Sequence, residues 1–535
     1  MHTLRFTLVL YVLLLAGFVL SQEVQQPLAA DAPATPKAPK RVAIIGAGSG
    51  GSSAAYYLRT YADYYSVPVN ITIFEREAYV GGRSTTVDVF GDPSLPIELG
   101  ASIFVEVNRN LMKAAKSFNL KIQNAGGVRP KEATDDLGVW DGSKFVFQQR
   151  EGNYRWWNIV QLLWKYGWAP MRTQDLMKST IGNFLKLYRY PLFPWKNLSE
   201  AARSSGLVEA TWATGAEFLK QNHISEPFSR EIIQASTRVN YGQNLPLIHG
   251  LETMVCMAAE GAVSIKGGNW QIFSGMVGAS KAVLKLESQV TSLERNGNNT
   301  YTVSHKNKAN TTEEEVFDQV VIAAPLQFSD IKLETLMDNQ PDNIPYVKLH
   351  VTLFASPHKL SPKYFNLPLS NMVPETILTT LPKGLNLGHR RDGVGPAGFW
   401  SISTLQKVRA PETKDGEGKY HYVYKVFSPE RLNAMFLAGI LGLEGPINGT
   451  IADIPQSDIS WSYEKVWHPY PVLYPRVTFE NVKLSPGIWY TSGIESMIST
   501  METSSLSGMN VAALMVSEWT EDFNPKMSIF EGESV

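Results

Sequence analysis

A run of glycines near residue 46 has the residue types and spacing that hold the pyrophosphate of a dinucleotide. Gly46, Gly48 and Gly51 fit the pattern G-x-G-x-x-G directly after the apolar segment Val42–Ile45. Glycine permits the tight turn, lets a phosphate approach the backbone, and lets a helix pack closely on a strand. Free N–H groups at the start of the next helix, where Ser49 lies, would face the anion. We therefore predict a dinucleotide-binding turn here.

A carboxylate follows at the position where such a unit binds ribose. The helix-forming stretch from Ser52 to about Tyr64 leads to a second apolar segment, Val69–Phe74, which ends on Glu75. A carboxylate at the end of this strand can accept hydrogen bonds from both ribose hydroxyls. Strand, helix, strand and acid in this order favour a dinucleotide site over a glycine-rich turn without a ligand.

The residues after Glu75 favour FAD over NAD. Gly82, the second of two adjacent glycines, allows the backbone to approach the diphosphate again, and Arg83 adds a cation beside it. The alternative for Arg83 is an ordinary surface charge at a turn. Small residues offer a further close approach at Gly100, Ala101 and Ser102.

Composition excludes several classes of partner and site. The chain has 535 residues, of which 44% are hydrophobic and 19% charged, as expected for a globular protein with a large core. A net charge of −1 gives no electrostatic reason to expect a nucleic acid partner. Cys256 is the single cysteine, so neither an intrachain disulfide nor a cysteine metal cluster can form, and we predict no metal site. Its apolar surroundings predict a buried, inert thiol.

The N-terminus has the pattern of a secretory signal. Residues 1–21 carry two basic residues before an apolar run, which predicts a signal peptide, with a retained membrane anchor as the alternative. Residues 22–39, rich in alanine and proline, are predicted to be a disordered linker. In a secreted chain N-x-S/T sites can carry glycans, and we expect them at Asn197, Asn298, Asn310 and Asn448. A fifth site, Asn70, is expected to be inaccessible within a strand.

The remaining chain predicts an α/β fold with two interleaved domains. A strand over Ala282–Val290, a hairpin, a buried strand ending near Pro325 and a helix over Ser505–Glu518 would complete the nucleotide domain. A second sheet would contain Tyr346–Ala355 and Tyr420–Phe427, followed by a helix over Pro429–Leu441 with Ser428 as its N-cap. The predicted division is a FAD-binding domain of residues 40–125, 260–330 and 482–520, a substrate domain of residues 126–259 and 331–481, and a C-terminal tail, 521–535.

Three segments are candidates for contact with a substrate. Tyr154–Tyr190 carries large apolar residues at helix-like spacings, which predicts helices that fill a core or line an apolar tunnel, and this surface could also touch a membrane. Thr237–Gln243 is predicted to be a polar turn that faces a ligand, or else a plain connection between helices. His249 follows, and a lone histidine is either a site residue or a structural one.

Segments near the middle and the end of the chain resemble the prenylcysteine oxidase family of amine oxidase-like flavoproteins. They are Arg238–Gln243, Lys266–Asn269, and Tyr490–Glu502 together with Gly508 and Asn510. The resemblance, from about Lys40 to Trp519, implies a Rossmann-like FAD-binding domain of the two-dinucleotide-domain, amine oxidase type, interleaved with an α+β substrate domain. It also implies that the backbone of Val290 touches adenine and that the Glu495 segment meets the flavin, although Glu495 could instead be a plain helix-start carboxylate.

The resemblance implies a FAD-dependent thioether oxidase of the lysosome, the vacuole or the extracellular space. Such an enzyme converts S-farnesyl- or S-geranylgeranyl-cysteine, O₂ and water into cysteine, a prenyl aldehyde and H₂O₂, and the cofactor rather than a side chain carries the hydride transfer. As partners of the cysteine head we name Arg238, Asn240 and Tyr241, and His249 is a further candidate for substrate binding. An oxidase acting on amines, and a secreted FAD- or lipid-carrying protein without turnover, remain alternatives.

Overall fold

The structure is a computed structural model, which describes residues 38–124, 136–149, 162–333, 337–411, 418–444 and 448–524. The predicted signal peptide, all but the last two residues of the predicted linker, Trp156, Trp157 and most of the predicted C-terminal tail lie outside these ranges. Residues from Pro39 onward form one compact unit, and the predicted division into two domains stays a prediction. Within the described ranges, every helix is too short or too polar to cross a bilayer.

Strands predominate up to Gln149, helices occupy the described chain from Ala169 to Met257, and strands predominate again from Val263 onward. The strands are β1 Lys40–Ile45, β2 Val69–Phe74, β3 Thr86–Asp88, β4 Pro96–Glu98, β5 Ile122–Asn124, β6 Leu137–Trp140, β7 Phe145–Gln149, β8 Val263–Ile265, β9 Val283–Lys285, β10 Gln289–Arg295, β11 Tyr301–Lys306, β12 Thr312–Phe317, β13 Gln319–Ile322, β14 Lys332–Leu333, β15 Leu349–Ser356, β16 Thr376–Thr379, β17 Ser401–Arg409, β18 Tyr420–Ser428, β19 Trp461–Trp467, β20 Lys483–Ser485 and β21 Ile488–Tyr490. The α-helices are α1 Ser49–Tyr64, α2 Arg109–Ser117, α3 Ala169–Leu185, α4 Leu198–Ser205, α5 Val208–Thr211, α6 Gly215–Gln221, α7 Glu226–Phe228, α8 Gln234–Tyr241, α9 Gly250–Met257, α10 Trp270–Ser280, α11 Ala434–Leu441 and α12 Met501–Trp519.

The nucleotide unit predicted from the sequence is present as β1, α1 and β2. The two strands run parallel, with Ile45 opposite Phe74. They lie at the centre of a six-stranded sheet of order β20-β21-β13-β1-β2-β9, in which β20 alone pairs antiparallel. Val42, Ala43 and Ile44 are all buried, as expected for a parallel strand covered on both faces. The carboxyl ends of these strands therefore point toward one edge, where the glycine turn lies.

The strand predicted over Ala282–Val290 is two strands in the structure. Its first part, β9, joins the six-stranded sheet beside β2, and its last two residues begin β10, in a four-stranded sheet of order β12-β11-β10-β14. Between them Glu287 has a φ of 50°, which breaks the extended run. Because apolar residues alternate on both sides of Glu287, periodicity alone does not indicate the break.

A seven-stranded sheet forms the second large layer, in the order β19-β15-β18-β17-β16-β6-β7. Both predicted strands of this sheet are confirmed as β15 and β18. The helix predicted over Pro429–Leu441 is wrong at its start, since α11 begins at Ala434. Its N-cap is Asn433, whose side chain accepts from the Phe436 N–H at 2.8 Å, whereas the Ser428 hydroxyl donates to the Glu430 carbonyl.

The polar turn predicted over Thr237–Gln243 is also wrong. A π-helical turn, Ser229–Ile233, leads directly into α8, which continues through Tyr241. The helix ends where Gly242 adopts a φ of 59°, the left-handed conformation that glycine tolerates. Buried packing of α8 outweighs the weak helix propensity of its threonine, valine and asparagine.

Helix α12 packs against α1 and so brings the end of the described chain to the glycine turn. The crossing is close because small residues face each other: a Cβ on Gly508 would lie 2.3 Å from the Gly50 carbonyl oxygen. The Ser53 hydroxyl donates to the Ser505 carbonyl at 2.7 Å, and the Ser49 hydroxyl to the Met501 carbonyl at 2.6 Å. Distant parts of the sequence thus build one wall around the nucleotide turn.

The five N-x-S/T asparagines are all exposed. This corrects the expectation for Asn70, whose side chain points outward between the buried Val69 and Ile71 of β2. Asn197 also caps α4 by accepting from the Glu200 N–H. Whether any of these asparagines carries a glycan stays a prediction.

Candidate cofactor and substrate site

A cavity of about 890 Å³ lies at the carboxyl edge of the six-stranded sheet and extends to the seven-stranded sheet. Eleven of the twelve residues that the sequence predicted for cofactor binding line it: Gly46, Gly48, Ser49, Glu75, Gly82, Arg83, Gly100, Ala101, Ser102, Val290 and Glu495. The twelfth, Gly51, does not line the cavity but follows Gly50, which does. The fold therefore brings these residues together, and their contacts with a cofactor stay predictions.

The two predicted glycine approaches are neighbours in space. Gly46 has a φ of 104° and Gly82 a φ of 59°, conformations that side chains rarely adopt. A Cβ on Gly82 would lie 3.2 Å from the Cα of Gly48. The backbone therefore comes close to itself at Gly48 and Gly82, where no side chain blocks the cavity. This arrangement suits the close approach of a diphosphate.

Glu75 is buried at the end of β2 and is held by two backbone donors. One carboxylate oxygen accepts from the Ala47 N–H at 2.7 Å and the other from the Glu77 N–H at 2.9 Å. Burial raises the pKa of Glu75, although both N–H groups act in the opposite direction. Each carboxylate oxygen has further acceptor capacity, so this group can still bind ribose hydroxyls from the cavity.

Arg83 and Glu495 form an ion pair across 412 residues of sequence. Two guanidinium nitrogens donate to the two carboxylate oxygens at 2.7 and 2.6 Å, and Arg83 also donates to the Pro469 carbonyl. The Tyr346 hydroxyl donates to Glu495 at 3.2 Å. Burial opposes the charge of Arg83, but the Glu495 carboxylate outweighs it and raises the pKa of the guanidinium. The pair fixes a planar cation on the cavity wall with donors left for an anion.

Lys425 is a wall residue that the sequence did not single out. Its ammonium donates to the Ser102 hydroxyl at 3.1 Å and to the Glu98 carbonyl at 3.0 Å. Burial lowers the pKa of Lys425 to about 8 and raises that of Glu98 to about 7. The available signal was one lysine among the aromatic and aliphatic residues of β18, a strand predicted for the second sheet.

Arg238 does not reach the cavity, which corrects its expected contact with the substrate. It is fully buried, and its guanidinium donates to the Thr379 hydroxyl and the Asn244 side chain, each at 2.9 Å, and to the Val394 carbonyl at 2.7 Å. The ring of Trp400 lies 4.7 Å from its guanidinium carbon. Arg238 therefore ties α8 to β16 at Thr379 and to the segment before Trp400 at Val394.

His249 is likewise structural, which corrects the second expected contact. It is fully buried at the N-cap of α9, where Nδ1 accepts from the Glu252 N–H at 3.2 Å. Burial lowers its pKa to about 4, so the imidazole is neutral at ordinary pH. The other two expected contacts, Asn240 and Tyr241, do lie on the cavity wall.

We expect Arg238→Lys to destabilise the fold without changing the affinity for a substrate. Lysine keeps the positive charge but cannot reach every acceptor that the guanidinium satisfies, which costs about 2 kcal/mol. Urea unfolding and the apparent KM for farnesylcysteine, measured on the same preparation, check this. A raised KM with unchanged stability would restore Arg238 as a substrate contact.

The described part of the aromatic segment predicted over Tyr154–Tyr190 divides between core, cavity wall and surface. Tyr166, Leu187 and Tyr188 are buried in the core. Ile181 and Phe184 of α3 line the cavity. Trp164 and Trp168, by contrast, are 90% and 69% exposed and face away from the core. Cys256 is buried as predicted and lies on the wall, where burial raises the pKa of its thiol well above the usual value.

The cavity thus has a polar end that fits a dinucleotide and a wall with apolar side chains. A dinucleotide would fit the polar end for three reasons. Gly48 and Gly82 bring two backbone segments close together, the Glu75 carboxylate has free lone pairs, and the ion pair with Glu495 fixes the Arg83 cation. Over the described ranges, no group of three or more histidine, cysteine, aspartate or glutamate side chains is placed to hold a metal ion. The arrangement suits chemistry carried by an organic cofactor beside an apolar substrate.

Comparisons with known proteins agree with this arrangement. Residues 44–118 match the model of the NAD(P)-binding Rossmann-like domain. The chain is 29% identical to farnesylcysteine lyase of Arabidopsis thaliana, over 91% of this chain and 89% of that protein. It is 28% identical to prenylcysteine oxidase 1 of Homo sapiens, over 90% of each chain.

The fold resembles that of an amine-oxidising enzyme. The structure of cyclohexylamine oxidase from Brevibacterium oxydans IH-35A matches 90% of this chain and all of that chain, with a TM-score of 0.53 and 16% identity. The predicted α/β fold of the amine oxidase type is thereby confirmed. Residues 149–526, most of the chain, match the family model described as prenylcysteine lyase. The chain belongs to the prenylcysteine lyase family.

Proposed function

We propose that the chain is a FAD-dependent thioether oxidase. It would cleave S-farnesyl- or S-geranylgeranyl-L-cysteine, with O₂ and water, into cysteine, a prenyl aldehyde and H₂O₂. The observation that carries the proposal is a cavity in which the glycine turn, Glu75 and the Arg83–Glu495 pair meet apolar walls. Family membership and the names of the relatives support the substrate class.

Different residues of the cavity would bind different parts of FAD and of the substrate. The glycine turn and Glu75 would hold the diphosphate and ribose of FAD, and Arg83 would add a fixed cation. A bound flavin supplies the hydride acceptor for the carbon next to sulfur. Phe184, Leu405 and other apolar wall residues would surround the prenyl chain and exclude water. Asn240 and Tyr241, which line the cavity, would hydrogen-bond the cysteine head.

An anaerobic titration tests the proposal. Protein loaded with FAD is mixed with farnesylcysteine in the absence of oxygen, and the flavin absorbance is expected to bleach with one equivalent of substrate. One equivalent each of cysteine and aldehyde should form with the bleaching, and admission of air should restore the flavin absorbance and form one equivalent of H₂O₂. Protein that does not bind FAD, or flavin that stays oxidised, would contradict the proposal. Bleaching by a panel of polyamines instead of farnesylcysteine would identify an amine oxidase.

We further propose that the protein enters the secretory route, on the basis of the apolar N-terminal run and the exposed N-x-S/T asparagines. A lysosome, a vacuole or the extracellular space would then be its place of action. The exposed tryptophans of the aromatic segment are the surface that we propose for peripheral contact with a membrane.

A further inference from the structure

A buried lysine of the seven-stranded sheet lines the cavity without a carboxylate partner. Lys425 lies on β18, where Leu353 of β15 and Ser403 of β17 are its cross-strand neighbours. It belongs to the cavity wall although it is only 9% exposed. Among the described residues, no aspartate or glutamate forms an ion pair with its ammonium, and the Glu98 carboxylate acts on it only from a longer distance.

The contacts of the Lys425 ammonium leave one of its hydrogens for a ligand. A lysine ammonium has three N–H donors, and two of them are used by the Ser102 hydroxyl at 3.1 Å and the Glu98 carbonyl at 3.0 Å. The centre of the Phe427 ring, which also lines the cavity, lies 5.3 Å from the ammonium nitrogen. These neutral groups stabilise the charge but do not neutralise it. A buried charge without a counter-charge is unfavourable, so its position on a cavity wall points to an anionic ligand.

The other lysine and arginine side chains of the described cavity wall are paired or accessible to water. Arg83 forms an ion pair with Glu495, and Arg76 forms one with Glu77. Lys465 of β19 also lines the cavity, but it is only half-buried, so water can solvate its charge. Burial lowers the pKa of Lys425 to about 8, which leaves its ammonium mostly charged at neutral pH.

We propose that Lys425 is the residue that binds the carboxylate of the cysteine head of the substrate. The proposal rests on the proposed function. The place of Lys425 on the wall, its burial and its remaining N–H donor carry it. A substrate carboxylate would accept that N–H and supply the counter-charge, in a charge-assisted hydrogen bond shielded from water. The amide of Asn240 and the phenol of Tyr241 are neutral, so neither can take this role.

Binding of a saturated ligand tests the assignment without turnover. S-Dodecyl-L-cysteine lacks the allylic double bond of the substrate, and its methyl ester lacks the carboxylate charge. Titration calorimetry with the FAD-loaded wild type should show that the acid binds about 10–100-fold more tightly than the ester, the usual scale for a hydrogen bond to a charged group. In Lys425→Met, which keeps the length of the side chain, this preference should be lost. The ester should bind Lys425→Met at least as tightly as it binds the wild type, because the ammonium no longer repels its amino group.

Lys483→Met is the matched control. Lys483 also lies on a strand with its ammonium over an aromatic ring, at 4.6 Å from the centre of the Trp489 ring, but it pairs with Glu518 and lies outside the cavity wall. This variant should keep both the preference for the acid and the affinity for FAD. Lys465→Met tests the other lysine of the wall and should keep the preference as well.

Several results would overturn the assignment. They are equal affinity of the wild type for acid and ester, a preference kept in Lys425→Met, and a preference lost in Lys465→Met. A lower affinity of Lys425→Met for FAD, with the preference kept, would place Lys425 at the cofactor instead. If Lys425→Met does not fold, Lys425→Gln repeats the test, because it is neutral but can still donate to the Glu98 carbonyl. Failure of the wild-type flavin to bleach with farnesylcysteine would refute the proposed function, whereas the preference for the acid is measured independently of turnover.

Discussion

Alanine at position 51 is expected to abolish FAD binding and to lower the free energy of unfolding by more than about 3 kcal/mol, beyond the usual range for an overpacked core. The added Cβ would lie 1.9 Å from the Gly46 carbonyl oxygen and 3.1 Å from the Ala323 Cβ. The turn cannot easily move away, because the Gly46 N–H donates to the Phe74 carbonyl at 2.8 Å and the Ala323 N–H to the Ile45 carbonyl at 2.9 Å. Urea unfolding and flavin fluorescence on titration with FAD measure the two effects.

Gly278→Ala provides the matched control, since it adds the same methyl group inside a helix of the same nucleotide region. A Cβ on Gly278 in α10 meets nothing within 4 Å, so alanine there should leave FAD binding unchanged. It should also stabilise the protein by up to about 1 kcal/mol through its helix propensity. Gly51→Ala protein that is as stable as Gly278→Ala and binds FAD would contradict the tight-turn assignment.

Local patterns in the sequence predicted the nucleotide unit because each of its parts is set by neighbours in the chain. An apolar run, three spaced glycines and a terminal carboxylate define β1, the turn and Glu75 within about one βαβ unit. The confirmed strands β15 and β18 are also local features, marked by β-branched and aromatic residues. The break at Glu287 shows a limit of predicting strands from local patterns, because one residue with a left-handed backbone leaves the alternation of apolar residues on either side unchanged.

Contacts between distant segments could not be predicted in the same way. Arg83 and Glu495 were each placed near the cofactor, but nothing in the sequence indicates that they bind each other. Arg238 shows the same limit, because a buried hydrogen-bond network and a ligand site require the same polar residue types.

Arg83→Ala is the second substitution for which we expect a large effect. It would leave the Glu495 side chain, which is only 2% exposed, without its cation. Removing one partner of a buried pair typically costs about 3–5 kcal/mol, because the remaining charge is desolvated without compensation. The Arg83 side chain is itself 37% exposed, so we expect a loss at the lower end of this range. The Tyr346 hydroxyl can offset only part of this loss. Urea unfolding of the protein without added FAD isolates this effect from the loss of a cofactor contact.

A double-mutant cycle shows whether the cost arises from an uncompensated charge. If it does, Arg83→Ala combined with Glu495→Ala should be less destabilised than the sum of the two single variants, by more than about 1 kcal/mol. Arg41→Ala is the control, because its ion pair with Asp318 is exposed and should contribute about 1 kcal/mol or less. Additive losses at Arg83 and Glu495 would mean that the two side chains stabilise the protein independently. The proximity of cation and carboxylate would then reflect their separate positions on the cavity wall, each free to contact a bound cofactor.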